Sequence, residues 1–395
     1  MKMPILYAVA LAGPAALGFV LLAQPAAAPP PYTTAAQFYS GVSGPGRAVT
    51  GTGYGGYQSG RQGVFYSGEG AKPGWHPLKP EAFSGSAVTA GLLPPLRPIW
   101  DIHLRDTIIR IGGDGEYYMT GSPGDNIWDR NDGVELWRSH DLKDWSYLGL
   151  VWTFEKDASA WQKVWGKTRD LPVRAVWAPE IHYIDKKYFI TLSFAGGAGT
   201  AVLVSRSGKP EGPYVNAFKP DVRATGGIDA TLFQDDDGKV YFTQGRGGTI
   251  YRMKDDFSGF TDEGHRVEIE KPADGSWTRD EVANEGASIF KHHGKYYLTG
   301  AGFYKGRYSS VAVISDRIYG PYKQWHEAVP GGGGGNYFRD KDGRWWCTVF
   351  GNDDQMPWRE KPGMVRIEFA EDGRIRVARD QPDFVLQESA RQKLP

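Results

Sequence analysis

The chain has 395 residues, of which 40% are hydrophobic and 23% are charged, and its formal net charge at pH 7 is zero. This composition is typical of a soluble globular protein, and the neutral balance argues against a nucleic acid or an anionic membrane surface as partner. The only cysteine, Cys347, lies in an apolar run, so we expect a buried thiol and no intramolecular disulfide.

The first 28 residues have the pattern of a secretory signal peptide. Lys2 supplies a positive start, an apolar stretch follows up to Leu22, and residues 26–28, all alanine, offer a cleavage site. An uncleaved membrane anchor is the alternative, but the Gly-Pro pair at residues 13–14 and the small-residue end favour cleavage. We therefore expect a secreted or periplasmic protein without a membrane contact once the signal is removed.

Residues 29–97 are rich in Pro, Gly, Ser and Tyr and show no clear period. Such a composition predicts an irregular arm or linker, not a packed domain. The remaining residues, 98–395, carry the patterned part of the sequence.

Five copies of one hairpin pattern organise this part of the chain. In each copy a strand-forming run leads to a polar turn and then to a second run that begins with aromatic or β-branched residues. An acidic residue opens the first run of four copies: Asp106, Glu180, Asp229 and Glu285. The fifth copy starts after a run of five glycines, at Asn336.

Most copies are followed by further candidate strands, so the chain is predicted to be an all-β, five-bladed β-propeller. The first strand of each blade would line the central axis. Asp106, Asp229 and Glu285 each precede a tyrosine by twelve residues. This equal spacing predicts matched positions at one end of the channel. Residues 153–174 show no strand pattern, and we expect them to form a loop at the rim.

Three converging carboxyl groups suit the hydrolysis of a glycosidic bond. One protonated carboxyl group donates a proton to the leaving oxygen, and one ionised carboxylate activates water or attacks carbon. A third carboxylate beside the acid raises its pKa by repulsion. The spacing predicts the trio but does not assign the three roles. The abundance of Trp and Tyr, 14 and 21 residues, also favours a carbohydrate ligand.

An ordered series of motifs resembles glycoside hydrolase family 43 and its clan relatives over about residues 98–380. The motifs are Arg105-Asp106, Trp177-Ala178-Pro179-Glu180, Gly227-Ile228-Asp229, Asp236-Asp237-Gly238-Lys239 and Glu285-Gly286. The resemblance implies a five-bladed propeller that cleaves arabinosides, xylosides or galactosides with inversion. It implies Asp106 as general base, Asp229 as modulator of the acid's pKa and Glu285 as general acid.

The sequence departs from the family pattern at three places. Thr107 and Ala287 stand where the family usually has proline, and Asn336 stands where it often has an axial His near a metal ion. The resemblance therefore leaves a structural calcium ion open, while the chemistry requires no cofactor and the sequence predicts no metal ligands.

Five further residues are candidates for contacts with an oligosaccharide or polysaccharide substrate. Trp177 is an aromatic platform candidate, and Arg246 and Arg307 follow glycine-containing turns near the expected mouth. His103 lies next to the general base candidate, and Trp128 lies in a loop at the rim. The alternatives are packing for the aromatic residues and ordinary surface positions for the others.

The sequence thus predicts an exported glycosidase that acts on a plant or algal polysaccharide or its oligosaccharides. Two rivals remain: a non-catalytic carbohydrate-binding propeller, and a hydrolase of anhydro- or sulfated galactans from a related clan. The sequence leaves the sugar, the linkage and the oligomeric state open.

Overall fold

A computed structural model describes residues 97–98, 104–123, 131–143, 145–163, 166–168, 171–304, 307–350 and 362–378. Within these ranges the chain forms β-strands and one short turn of 3-10 helix at Ala195–Gly197, and it contains no α-helix. None of these residues belongs to a helix that is long and apolar enough to cross a membrane. The predicted signal peptide and the predicted arm up to residue 96 lie outside the described residues.

The described strands form five antiparallel blades, which confirms the predicted all-β five-bladed propeller. A two-residue strand, β1 (Arg97–Pro98), precedes the first blade. Blade one consists of β2 (Leu104–Ile111), β3 (Tyr117–Pro123), β4 (Gly133–Ser139) and β5 (Trp145–Thr153). A hairpin of β6 (Gly166–Thr168) and β7 (Leu171–Val173) leads on to the second blade. The prediction of a loop without strands for residues 153–174 was therefore wrong at this hairpin, because three-residue strands are too short to show a period.

The next three blades each contain four strands in chain order. Blade two consists of β8 (Val176–Ile184), β9 (Lys187–Phe194), β10 (Gly199–Ser205) and β11 (Tyr214–Asn216). Blade three consists of β12 (Ala230–Gln234), β13 (Val240–Gln244), β14 (Thr249–Arg252) and β15 (His265–Arg266). Blade four consists of β16 (Glu285–His292), β17 (Lys295–Tyr304), β18 (Arg307–Ser315) and β19 (Lys323–Val329).

The fifth blade joins the two ends of the propeller. It consists of β20 (Tyr337–Arg339), β21 (Trp345–Val349), β22 (Gly363–Phe369) and β23 (Ile375–Val377), and β22 also pairs with β1. Arg97 lies opposite Met364, so the first described strand completes the sheet of the last blade. This pairing closes the ring of blades, which leaves fewer open sheet edges.

The hydrophobic core lies between neighbouring blades. Side chains of blades one and two pack around Trp152, Phe154 and Phe194, and side chains of blades four and five pack around Phe290 and Tyr297. Because aromatic side chains bury large areas, these inter-blade contacts hold the sheets at fixed angles around the axis. This packing fixes the positions of the innermost strands relative to one another. These strands are β2, β8, β12, β16 and β20.

Candidate active site

One kind of β-bulge recurs where the innermost strands begin. Arg105 and Ile108 lie opposite Ser122 and Thr120, so β2 carries one residue more than β3, and the same shift occurs in β8 and β16. Bulges of this kind redirect a side chain and are frequent next to active sites. The bulge marks equivalent residues in different blades and so defines the register around the axis.

In every blade, one residue where the innermost strand begins has a positive φ angle. We call this set the mouth ring, and its members have φ values of 51°, 43°, 55°, 68° and 70°: Asp106, Ala178, Asp229, Gly286 and Gly334. Glycine and aspartate tolerate this left-handed conformation better than most residues do. The backbone requirement is thus met by glycine in two blades and by a carboxylate-bearing residue in two others.

Two residues further along each innermost strand lies a second set, which we call the inner ring. Each member lies opposite a buried threonine of the second strand: Ile108, Glu180, Thr231, Ser288 and Asn336 lie opposite Thr120, Thr191, Thr243, Thr299 and Thr348. The two rings therefore form successive layers of the channel.

The register corrects the expectation for Glu285. Its twelve-residue spacing suggested the same blade position as Asp106 and Asp229, but the mouth-ring member of blade four is Gly286. Glu285 is one residue earlier, because the β16–β17 hairpin has a shorter turn than those of blades one and three. Glu285 thus shares its position with Arg105 and Trp177, which also precede mouth-ring residues.

Asp106 is half-buried and receives a hydrogen bond from its own blade. The Ser122 hydroxyl donates to Asp106 Oδ2 at 2.7 Å and accepts from the Ala178 backbone N–H, also at 2.7 Å. Ser122 is fully buried. Ser122 thus fixes the orientation of the Asp106 carboxylate and connects it to the backbone of blade two.

Asp229 is held by the neighbouring blade. The Gly286 backbone N–H donates to Asp229 Oδ2 at 3.0 Å, and the Asp229 N–H donates to Ser193 Oγ at 3.2 Å. Burial, followed by repulsion from Glu285 and Asp106, raises the pKa of Asp229 well above its usual range. The Gly286 hydrogen bond opposes this rise. These carboxyl groups are therefore close enough that ionising all of them is costly, and the site retains a proton towards neutral pH.

Glu285 is oriented by a tyrosine of the third strand in its blade. The Tyr308 hydroxyl donates to Glu285 Oε1 at 2.7 Å, and Tyr308 is only 1% exposed. Burial and the nearby Glu285 and Asp106 charges raise the pKa of Tyr308, which therefore stays a hydrogen-bond donor. The Arg105 guanidinium opposes this rise and lies 4.4 Å from the centre of the Phe350 ring, which packs against Tyr308.

Glu180 belongs to the inner ring and has a different environment. The Thr231 hydroxyl of blade three donates to its Oε2 at 2.7 Å, and Arg110 Nη2 of blade one lies 3.9 Å from the same oxygen. His182 Nε2 lies 3.6 Å from it. Burial raises the pKa of Glu180 to about 7, although Arg110 and Thr231 oppose the rise. Glu180 thus links three blades beneath the mouth ring.

Asn336 closes the inner ring between blades five and one. Its Oδ1 accepts from Ile109 N–H at 3.1 Å and from the Thr348 hydroxyl at 3.0 Å, and its Nδ2 donates to the carbonyl groups of Ile109 and Tyr337. The side chain is fully buried. Because both ends of the amide are engaged within the protein, Asn336 does not fit the part of an axial metal ligand.

Of the five predicted substrate-binding residues, two have side chains within the described part of the chain. Trp177 is half-buried at the position that Arg105 and Glu285 occupy in their blades, so it borders the mouth. Arg246 is exposed in the β13–β14 turn, and its carbonyl group accepts from Val282 N–H just before blade four. The backbone of Arg307 opens β18, but its side chain lies outside the described residues, as do His103 and Trp128.

The sequence analysis did not identify three residues that lie beside the carboxylates: Ser122, Ser193 and Tyr308. Ser122 and Ser193 each follow a buried strand threonine by two residues, and this Thr-x-Ser pattern could have indicated them. Tyr308 had no such signal, because its contact with Glu285 joins two strands, β16 and β18, that lie on either side of β17 in the sheet.

Known proteins resemble this chain in sequence and in fold. A β-D-galactofuranosidase of Aspergillus niger is 27% identical over 202 residues, which are 45% of this chain and 56% of that protein. A putative β-xylosidase of Escherichia coli K12 is 26% identical over 276 residues, 60% of this chain and 49% of that protein. The chain thus matches only about half the length of these relatives.

A solved thermostable family-43 glycoside hydrolase shares the fold, with a TM-score of 0.56 and 21% identity, over 74% of this chain and 99% of that one. The family model for glycosyl hydrolases family 43 matches residues 96–375, which include all five blades and the three predicted catalytic carboxylates. The resemblance that the motifs predicted is therefore confirmed, and this chain belongs to glycosyl hydrolases family 43.

Proposed function

We propose that this protein is a glycoside hydrolase that cleaves plant polysaccharides, or oligosaccharides derived from them, with inversion of the anomeric configuration. The observation that carries the proposal is the meeting of Asp106, Asp229 and Glu285 at one end of the channel, each with a different hydrogen-bond partner. Membership of family 43 supports this reaction class. The relatives are named for galactofuranose and for xylose, so the sugar itself stays open.

In this mechanism Asp106 is the general base. Ser122 orients its carboxylate, which takes a proton from the attacking water molecule. The water then attacks the anomeric carbon from the face opposite to the leaving group, which inverts the configuration.

Glu285 is the general acid and protonates the leaving oxygen as the glycosidic bond breaks. Asp229 lies beside it and keeps a proton in the pair, since burial and then repulsion from Glu285 raise the pKa of Asp229. The raised pKa belongs to Asp229, whereas the mechanism needs the proton on Glu285. In a coupled pair the proton is shared, and substrate binding with its leaving oxygen next to Glu285 would draw it there.

The departures from the family pattern do not weaken the catalytic interpretation. Thr107 and Ala287 are both buried at the bulge position that Pro179 occupies in blade two. The bulge and the positive φ angle are present in all three blades, so proline is not needed to aim the carboxylates. Of the three departures that supported a non-catalytic sugar-binding propeller, the one at Asn336 then remains.

No step of this mechanism uses a metal ion or a cofactor. We also propose that the protein is exported by its N-terminal signal and acts outside the cytoplasm, where polysaccharide is found.

The test is hydrolysis of plant oligosaccharides and polysaccharides by the wild type and by Asp106→Asn and Glu285→Gln. Each substitution should lower kcat by about 10²–10⁴-fold, because each removes one proton-transfer group. Asp237→Asn, at an exposed hairpin turn, is the matched control and should retain full activity.

Product analysis by NMR immediately after cleavage reports the anomeric configuration. Net inversion is expected, and net retention would contradict the assignment of Asp106 as a base. Undiminished activity in both carboxamide variants would show that other residues perform the chemistry.

A further inference from the structure

Phe303 is an exposed aromatic residue beside the candidate general acid. Its side chain is 38% exposed, which makes it one of three large hydrophobic residues that are exposed in the described part of the chain. The other two, Tyr183 and Val222, lie in the β8–β9 hairpin and after β11. A single exposed apolar side chain is common on protein surfaces, so what distinguishes Phe303 is its place beside Glu285 and the rings that hold it.

The strand register places Phe303 above the mouth of the channel. Ala301 lies opposite Glu285, and Phe303 is two residues further along β17, on the same face of the strand and beyond the start of β16. Its backbone N–H donates to Asn284 Oδ1 at 3.2 Å, next to Glu285 in the chain. Phe303 therefore lies on the side of the mouth that carries the acid.

A row of aromatic rings supports Phe303 from below. Its ring centre is 5.4 Å from that of Tyr308, and the Tyr308 ring is 5.5 Å from Phe350 of blade five. Tyr308 and Phe350 are almost fully buried, so Phe303 is the exposed end of a packed row. A ring that is held in this way offers a flat apolar surface at little cost in side-chain entropy.

We propose that Phe303 is the platform for the sugar on the leaving-group side of the scissile bond, and that it makes the enzyme prefer oligosaccharides over substrates with a small leaving group. This inference rests on the proposed function, in which Glu285 protonates the leaving oxygen. The leaving sugar must then lie next to Glu285, and the C–H groups of its apolar face would pack on the Phe303 ring. Phe303 is a specificity-determining residue that takes no part in proton transfer.

The experiment compares Phe303→Ala on two substrates that share the cleaved sugar. One is an oligosaccharide that the wild type hydrolyses, and the other is the glycosyl fluoride of the same sugar and anomeric configuration. The fluoride has no leaving sugar and needs little help from an acid. Phe303→Ala should lower kcat/KM for the oligosaccharide about tenfold, mainly through KM, and leave the fluoride within about twofold.

Two further variants make the result specific. Phe303→Trp retains a flat ring and should restore most of the oligosaccharide activity. Tyr183→Ala removes an exposed aromatic side chain from the hairpin at the other end of β8 and should change neither rate. Thermal unfolding of each variant verifies that the fold is intact.

Equal losses on both substrates, or no loss on the oligosaccharide, would overturn the role of Phe303 while leaving the hydrolase intact. A wild type that hydrolyses neither substrate would instead overturn the proposed function, and this inference with it.

Discussion

The mouth ring and the inner ring lie two residues apart on the same strands, yet their carboxyl groups differ in burial and in the partners that surround them. Asp106 and Asp229 in the mouth ring are half-buried, and hydrogen bonds from Ser122 and from the Gly286 backbone orient them. Glu180 in the inner ring is 5% exposed and has Thr231, Arg110 and His182 around a single oxygen. The comparison separates groups that can meet a substrate from groups that hold blades together.

The difference follows from the backbone at the two levels. In the mouth ring the positive φ angle turns the chain and directs the side chain out of the regular strand pattern. In the inner ring the strand is regular again, and each residue faces a buried threonine. The repeated blades can therefore carry acidic residues in both rings, although only those of the mouth ring are exposed enough to meet a substrate.

The largest effect that would sharpen this comparison is expected at Asp229. Asp229→Asn should lower kcat by about 10³-fold, because the amide cannot share the proton that the acid needs. Glu180→Gln should lower kcat by less than about tenfold, because Glu180 does not reach the substrate. Steady-state kinetics at several pH values measures both. Equal losses in the two variants would remove the functional distinction between the rings.

A second prediction concerns the pH dependence of stability. The pKa of Glu180 is raised to about 7 in the folded protein, so the folded state binds this proton more tightly than the unfolded chain. The resulting stabilisation is complete below about pH 4.5 and is lost as pH rises through about 7. Between these limits the wild type should lose roughly 3 kcal/mol relative to Glu180→Gln. Urea unfolding at pH 5 and pH 8 measures the difference, and parallel curves for the two proteins would contradict it.

A third prediction tests the closure of the inner ring at Asn336. Asn336→Ala should destabilise the protein by about 2 kcal/mol, because the backbone groups of Ile109 and the Thr348 hydroxyl lose buried partners. Gln234→Ala removes an exposed amide that bonds to Asp185 and should change stability by less than about 0.5 kcal/mol. Chemical denaturation compares the two, and similar values would mean that Asn336 does not hold the ring closed.

The smallest effect is expected at Tyr308. Tyr308→Phe retains the ring and its contacts with Phe303 and Phe350 but removes the hydrogen bond to Glu285. We expect kcat to fall about threefold to tenfold, since a hydrogen bond in a protein contributes roughly 1 kcal/mol. Steady-state kinetics of the wild type and of this variant measures the fall. An unchanged kcat would contradict a role for the Tyr308 hydroxyl in orienting Glu285.

Much of the fold was predictable because its signals are local. The hairpin pattern of strand residues around a polar turn recurs in each blade, with an Asp-Gly turn such as Asp237-Gly238 in three of them, and five recurrences admit few architectures. The carboxylates of the candidate site were also predictable, since an acid at the start of a strand stands out against its apolar neighbours. The register of Glu285 was not predictable, because it depends on a hairpin turn that is shorter than those of blades one and three.

By itself the sequence determined the all-β class, the five hairpin repeats and the presence of Asp106, Asp229 and Glu285 at strand starts, because these features arise from neighbouring residues. Only the tertiary structure decided which acids face the mouth, which tyrosine orients Glu285 and which strand completes the last blade. The physical reason is that these contacts join residues from different strands and different blades. The packing between sheets, which no local pattern encodes, brings them together.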